Sequence, residues 1–217
     1  MAPLSSKHTP GKHTSGKHAS GKHRSGKHGA VKFGFGRLGG RGAPPRMLLN
    51  RARPIRLLLL DVDGVLTDGR IIYDADGRES KSFHIHDGFG INQLRALGCL
   101  VGFLSGRASA AVERRAKELD VTIVHQGVDD KLPVYERILA DHRLSDHEVA
   151  YVGDDLPDLP VLGRVGLAVA VASATPQVRQ AVHWITGRAG GEGAVREVTD
   201  LLILARETAR TPRRRST

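Results

Sequence analysis

Two clusters of carboxylates follow directly on apolar runs. Asp61, Asp63 and Asp68 come after Leu57–Leu60, and Asp154, Asp155 and Asp158 come after residues 148–152. A carboxylate at the end of a buried strand is poorly solvated, and it is costly there unless it is paired or bound to a metal. Asp61 and Asp63, two apart on an extended segment, point to the same side, and Gly64 lets the chain turn away. Oxygen-only ligands suit a hard cation such as Mg2+, which takes one or two carboxylates together with phosphate and water. Ser105, Gly106 and Arg107 end another apolar run, Leu100–Leu104. A small hydroxyl and exposed backbone N–H groups at such a strand end can hold phosphate, helped by the N-terminus of the next helix. Each feature alone has a plain alternative. Asp61 and Asp63 could be solvated turn residues, and Asp158 could cap a helix beginning near Leu159.

The elements that must position these groups alternate. Apolar runs at 57–60, 100–104, 121–124, 148–152, 167–171 and 183–185 read as strands. Between them lie helical segments, among them one from about Gly90 with Ile91, Leu94 and Leu97 on one face and a stop at Gly98. A last helix runs through Leu204. This alternation predicts an α/β domain with a doubly wound, mainly parallel sheet. The first interruption is different: Arg70–Tyr73 and Arg78–His84 flank Asp74-Ala75-Asp76-Gly77, a hairpin signal. The hairpin follows the first strand end directly, so it should overhang the site. It is too small to form a cap domain, so the substrate or another subunit must help close the site. His84 and His86 at its base read as surface histidines, with substrate contact as the alternative.

The chain has 217 residues and one cysteine, Cys99, which excludes an internal disulfide framework and fits a reducing compartment. No segment approaches the length needed to span a bilayer and no secretory leader is visible, so a cytoplasmic location is expected. The formal net charge of +10 is misleading. Twelve basic residues precede residue 54 and residues 206–217 carry +4, which leaves residues 54–205 at −6. A five-residue repeat places Lys-His at 7–8, 12–13, 17–18, 22–23 and 27–28. With little to bury, residues 1–53 and 206–217 are expected to be disordered tails around a domain at 54–205. Three readings of the N-terminal tail stand: metal binding by its histidines, weak polyanion binding, or a dispensable leader with Met47 as an alternative start.

The segment DVDGVLTDG, Asp61 to Gly69, resembles motif I of the haloacid dehalogenase superfamily. Ser105 stands as motif II, Lys131 after Gln126-Gly127 as motif III, and Gly153–Asp158 as the GDDxxD of motif IV. Within the superfamily the chain is similar to the 3-deoxy-D-manno-octulosonate 8-phosphate (Kdo 8-phosphate) phosphatase family. There the hairpin ends in K-x-F and leads to DGxGI, matched by Lys81, Phe83, Asp87, Gly88, Gly90 and Ile91. The family's closing GGxGAVREV stands at Gly190–Val198.

The resemblance implies a haloacid-dehalogenase-like Rossmannoid with a small β-hairpin flap in place of a cap domain. It implies that Asp61 is the nucleophile, forming an aspartyl-phosphate, and that Asp63 protonates the leaving oxygen and then activates water. Ser105 and Lys131 would hold the phosphate, and Lys131 would offset its repulsion from Asp61. Mg2+ would be bound by Asp61, Asp154 and the backbone carbonyl of Asp63, with Asp155 and Asp158 in support. Gly106, Arg107, Arg115 and Arg196 are candidate substrate contacts, although Arg115 and Arg196 have helix-surface roles as equal alternatives. The family is a homotetramer acting on a sugar-acid phosphate in lipopolysaccharide precursor synthesis. Three rivals remain: a phosphatase of a sialic-acid-type 9-phosphate, a polynucleotide phosphatase using the basic tail, and an inactive scaffold. The net acidity of residues 54–205 weighs against the second, and the intact motif residues weigh against the third.

Overall fold

Leu57–Leu60 form strand β1, and all four leucines are fully buried, as a strand covered on both faces requires. The computed structural model describes residues 44–210. The expectations for the Lys-His repeat, its histidines and its polyanion binding lie outside the described residues, as do those for residues 211–217. β1 is the centre of a six-stranded parallel sheet. Its other strands are β4 (Leu100–Leu104), β5 (Ile123–His125), β6 (Val149–Gly153), β7 (Leu167–Ala170) and β8 (Trp184–Ile185). The spatial order is β5-β4-β1-β6-β7-β8, with every neighbouring pair parallel. The chain winds outward from β1 to β5, then returns to place β6 on the other side of β1. The winding therefore reverses between β1 and β6, at the crevice where open α/β sheets bind ligands.

The crossovers are helical: α2 (Ile85–Ala96), α3 (Ala110–Glu118), α4 (Lys131–His142), α5 (Leu159–Leu162) and α6 (Pro176–Gln180). The last helix, α7 (Ala194–Arg210), packs on α2 and buries Val195, Val198, Leu201, Leu202 and Ala205 along one stripe. The flap is a separate two-stranded hairpin, β2 (Ile72–Tyr73) and β3 (Glu79–Ser80). Among the described residues no helix is long and apolar enough to cross a membrane.

Several boundaries need correction. Residues 46–52, expected in the tail, form helix α1 (Arg46–Ala52), which packs on α7 and buries Leu48 and Ala52. At the other end α7 runs on to Arg210, and Arg206 donates to the Ile55 carbonyl, so the chain past residue 205 is also part of the fold. Helix α2 starts at Ile85 rather than near Gly90, because His84 caps it by accepting from the His86 N–H.

Candidate active site

β1 and β6 run side by side, with Leu60 opposite Val152, and the Asp61 N–H donates to the Val152 carbonyl at 3.0 Å. This register brings the two acidic strand ends together. Asp61, Asp154 and Asp158 each offer a carboxylate oxygen within 4.8 Å of the others. Lys131, at the start of α4 and buried, reaches into the same point: its Nζ lies 2.9 Å from Asp61 Oδ1 and 2.6 Å from Asp158 Oδ1. Burial opposes the charge on Lys131, but the two carboxylates outweigh it and hold the ammonium above its usual range.

Asp158 is fully engaged. Its Oδ1 also accepts from the buried Tyr151 hydroxyl at 2.7 Å, and its Oδ2 accepts from the N–H groups of Asp154 (2.8 Å) and Asp155 (3.2 Å). Asp154 is the opposite case: its Oδ1 is buried without a partner. Burial, and then the charges of Asp61 and Asp158, push the Asp154 carboxyl well above the carboxylate range, and burial does the same to Asp61. Fully ionised, the three carboxylates would exceed the one ammonium by two charges. An orphaned oxygen, this excess of carboxylates over cations and oxygen-only donors fit a hard divalent cation. Asp61 and Asp154 have the capacity to hold one; Asp158 does not, because both its oxygens are taken.

The turn after β1 is shaped by its glycine. Gly64 has φ +91°, and a Cβ there would stand 2.1 Å from Asp154 Oδ2. Any side chain would be strained and would fill the space beside the orphaned carboxylate. The buried Thr67 hydroxyl accepts from the N–H groups of Gly64 and Gly69, which fixes the same turn.

Ser105 lies buried at the end of β4, next to β1, with its Oγ accepting from the Arg107 N–H at 3.2 Å. Gly106 follows it and is exposed, which leaves a backbone segment open. The Arg107 side chain turns to the flap, pairing with Glu79 at 2.6 Å. Asp155 caps the short 3-10 turn Leu156–Asp158 and is exposed. Arg115 pairs with Glu118 at 3.3 Å and lies over the Phe83 ring. Arg196 pairs with Asp200 at 2.7 Å and lies over Phe89. Among the described residues no contact joins either of these two arginines to the Asp61 cluster, so the helix-surface alternative describes their partners here.

Three groups near the site have no functional role in the sequence reading. Tyr151 reads there as one more core residue of an apolar strand. Lys81 is noted only as part of K-x-F, yet its side chain is 2 % exposed and paired with Asp63. Glu79 bridges Lys81 and Arg107. Only the folded contacts reveal them, since Lys81 and Asp63 are 18 residues apart.

Residues 121–198 match the haloacid dehalogenase-like hydrolase family. The chain is 45% identical over 160 residues to the 3-deoxy-D-manno-octulosonate 8-phosphate phosphatase KdsC of Yersinia pestis, covering 74% of this chain and 86% of that one. The crystal structure of the corresponding phosphatase from Moraxella catarrhalis, in complex with magnesium, phosphate and KDO, superposes with a TM-score of 0.73 at 40% identity, over 74% of this chain and 92% of that one. The cobalt-bound phosphatase from Haemophilus influenzae gives a TM-score of 0.70 at 37% identity, over 72% and 92% of the two chains. On sequence and structure together, the chain belongs to the 3-deoxy-D-manno-octulosonate 8-phosphate phosphatase family of haloacid dehalogenase-like hydrolases.

Proposed function

We propose that the chain is a Mg2+-dependent phosphomonoesterase that hydrolyses Kdo 8-phosphate to Kdo and phosphate through an aspartyl-phosphate. The observation that carries this reading is the Asp61 carboxylate held 2.9 Å from the Lys131 ammonium, beside an Asp154 oxygen that lacks a partner. Asp61, Asp154 and the Asp63 carbonyl would hold Mg2+, which would supply charge neutralisation for the phosphoryl group. Asp61 attacks phosphorus in line with the departing sugar oxygen, and Asp63 gives that oxygen a proton. Asp63 then takes a proton from water, whose oxygen attacks the aspartyl-phosphate, releasing phosphate and restoring Asp61. Ser105 and Lys131 hold the phosphoryl oxygens, and Asp158 keeps Lys131 in place. Arg107 at the flap base is joined to this machinery through Glu79 and Lys81.

A homotetramer in the cytoplasm completes the proposal. Exposed Ile71, Ile72 and Tyr73 on the flap support a further subunit there, because a two-stranded hairpin alone cannot bury them. The test is phosphate release with Mg2+ from a panel of Kdo 8-phosphate, sialic acid 9-phosphate, hexose phosphates and a 5′-phosphorylated oligonucleotide. The expected result is a strong preference for Kdo 8-phosphate that is lost in Asp61→Asn. Preference for another member of the panel would overturn the substrate.

A further inference from the structure

The flap does more than overhang the site, because it delivers a buried ammonium to one oxygen of Asp63. Lys81 lies just past β3, its side chain 2 % exposed, and its Nζ pairs with Asp63 Oδ1. The second oxygen, Asp63 Oδ2, is buried and has no partner. One oxygen is therefore tied and the other free. Lys81 is itself held from behind by Glu79 Oε1 at 2.9 Å, and Glu79 Oε2 reaches Arg107 at 2.6 Å. The row Asp63–Lys81–Glu79–Arg107 alternates in charge and links the loop after β1, the flap and the loop after β4.

We propose that Lys81 is a positioning residue for acid–base catalysis: it fixes the rotation of the Asp63 carboxylate so that Oδ2 faces the departing oxygen. The inference rests on the role given to Asp63 above. A carboxylate with neither oxygen tied rotates about its terminal bond, for which the torsional preference is broad. A proton donor out of line with the leaving oxygen loses much of its effect, since general acid catalysis needs hydrogen-bond reach to the atom protonated. In the step concerned, Asp61 bonds to phosphorus as the phosphorus–oxygen bond to the sugar breaks, and the proton on Asp63 passes to the sugar oxygen. Glu79 keeps Lys81 from swinging away, so the flap holds the acid in place from outside the sheet.

The test compares leaving groups. A sugar hydroxyl is a poor leaving group and needs the proton, whereas p-nitrophenolate is stable without it. First-turnover release of each would be followed by rapid quench for the native chain, Lys81→Met, Lys81→Arg, Glu79→Gln and Asp63→Asn. Lys81→Met is expected to slow release of the sugar by about 10- to 100-fold, while p-nitrophenolate release stays within about twofold. Lys81→Arg should recover most of the loss, and Glu79→Gln should show a smaller loss of the same kind. Equal slowing of both leaving groups in Lys81→Met, or no slowing of either, would overturn the inference. So would a Glu79→Gln variant that slows both equally, which keeps the test open should Lys81→Met fold poorly. An Asp63→Asn variant that releases the sugar at the native rate would instead overturn the role of Asp63 itself, independently of Lys81.

Discussion

The sheet end and the flap are built by opposite means. At the sheet end Lys131 and Asp158 are each held by several partners, and Lys131, Asp158 and Tyr151 are all buried. The flap has two-residue strands, its large apolar side chains face outward, and ion pairs at its base tie it to the rest of the molecule. The difference teaches where each kind of precision is needed. In-line attack on phosphorus tolerates little displacement, so its groups stand on strands fixed by parallel pairing on both sides. A sugar must enter and leave, so the element above it is small, with few contacts to break.

The largest break in this contrast comes from Lys131. In Lys131→Met, Asp61 and Asp158 face each other without the cation between them, and removing one partner of a buried ion pair costs about 3–5 kcal/mol. Activity is expected to fall by about 10²- to 10³-fold as well, the usual effect of losing one electrostatic contact to the transferring group. Denaturant unfolding and phosphate release measure the two losses separately. A variant as stable as the native chain would mean that the sheet end is less tightly determined than its contacts indicate.

Asp87 gives an intermediate effect with a pH signature. It is buried on α2, its Oδ1 accepts from the Arg196 N–H at 2.7 Å, and its Oδ2 has no partner. Burial raises its carboxyl from 3.8 to about 6, against the backbone hydrogen bond from Arg196 and the charges of Arg188, His86 and Arg115. Between about pH 4 and 6 the folded chain therefore holds a proton that the unfolded chain has lost. The stability contributed by this group falls as pH rises through that window and stays low above it. A shift of this size corresponds to at most about 3 kcal/mol. Asp87→Asn keeps an acceptor for Arg196, removes the pH slope and should stabilise the chain at pH 8 by about 1–3 kcal/mol. Unfolding curves at pH 4 and pH 8 check this, and an unchanged slope would show that the side chain ionises without cost.

The smallest effect is expected on the flap. Ile72 is half exposed, so Ile72→Ser should change stability by no more than about 0.5 kcal/mol in a dilute, monomeric sample. A loss that grows with protein concentration would sharpen the contrast, because it would place a second copy over this face.

Much of this was legible in the sequence, for identifiable reasons. Uninterrupted runs such as Leu57–Leu60 announce doubly buried strands, and the acidic and hydroxyl residues that follow them mark the ligand-binding edge of the sheet. Helix α1 was hidden because Arg46, Arg51 and Arg53 make its segment look like the basic tail, while Leu48, Leu49 and Ala52 pack on the core. The pairing of Lys131 with Asp158 and Tyr151 needs three elements to meet, which no local pattern encodes. Arg115 and Arg196 were legible as charges, but their partners Phe83, Glu118, Phe89 and Asp200 emerge only from helix packing.

The account turns on Asp61 as the atom that takes the phosphoryl group. Kdo 8-phosphate carrying a radioactive phosphate would be mixed with the enzyme and Mg2+, quenched in acid during turnover, and the labelled peptide mapped. The predicted result is label on Asp61, absent in Asp61→Asn. Turnover that continues with no label on Asp61, or label on another residue, would contradict it.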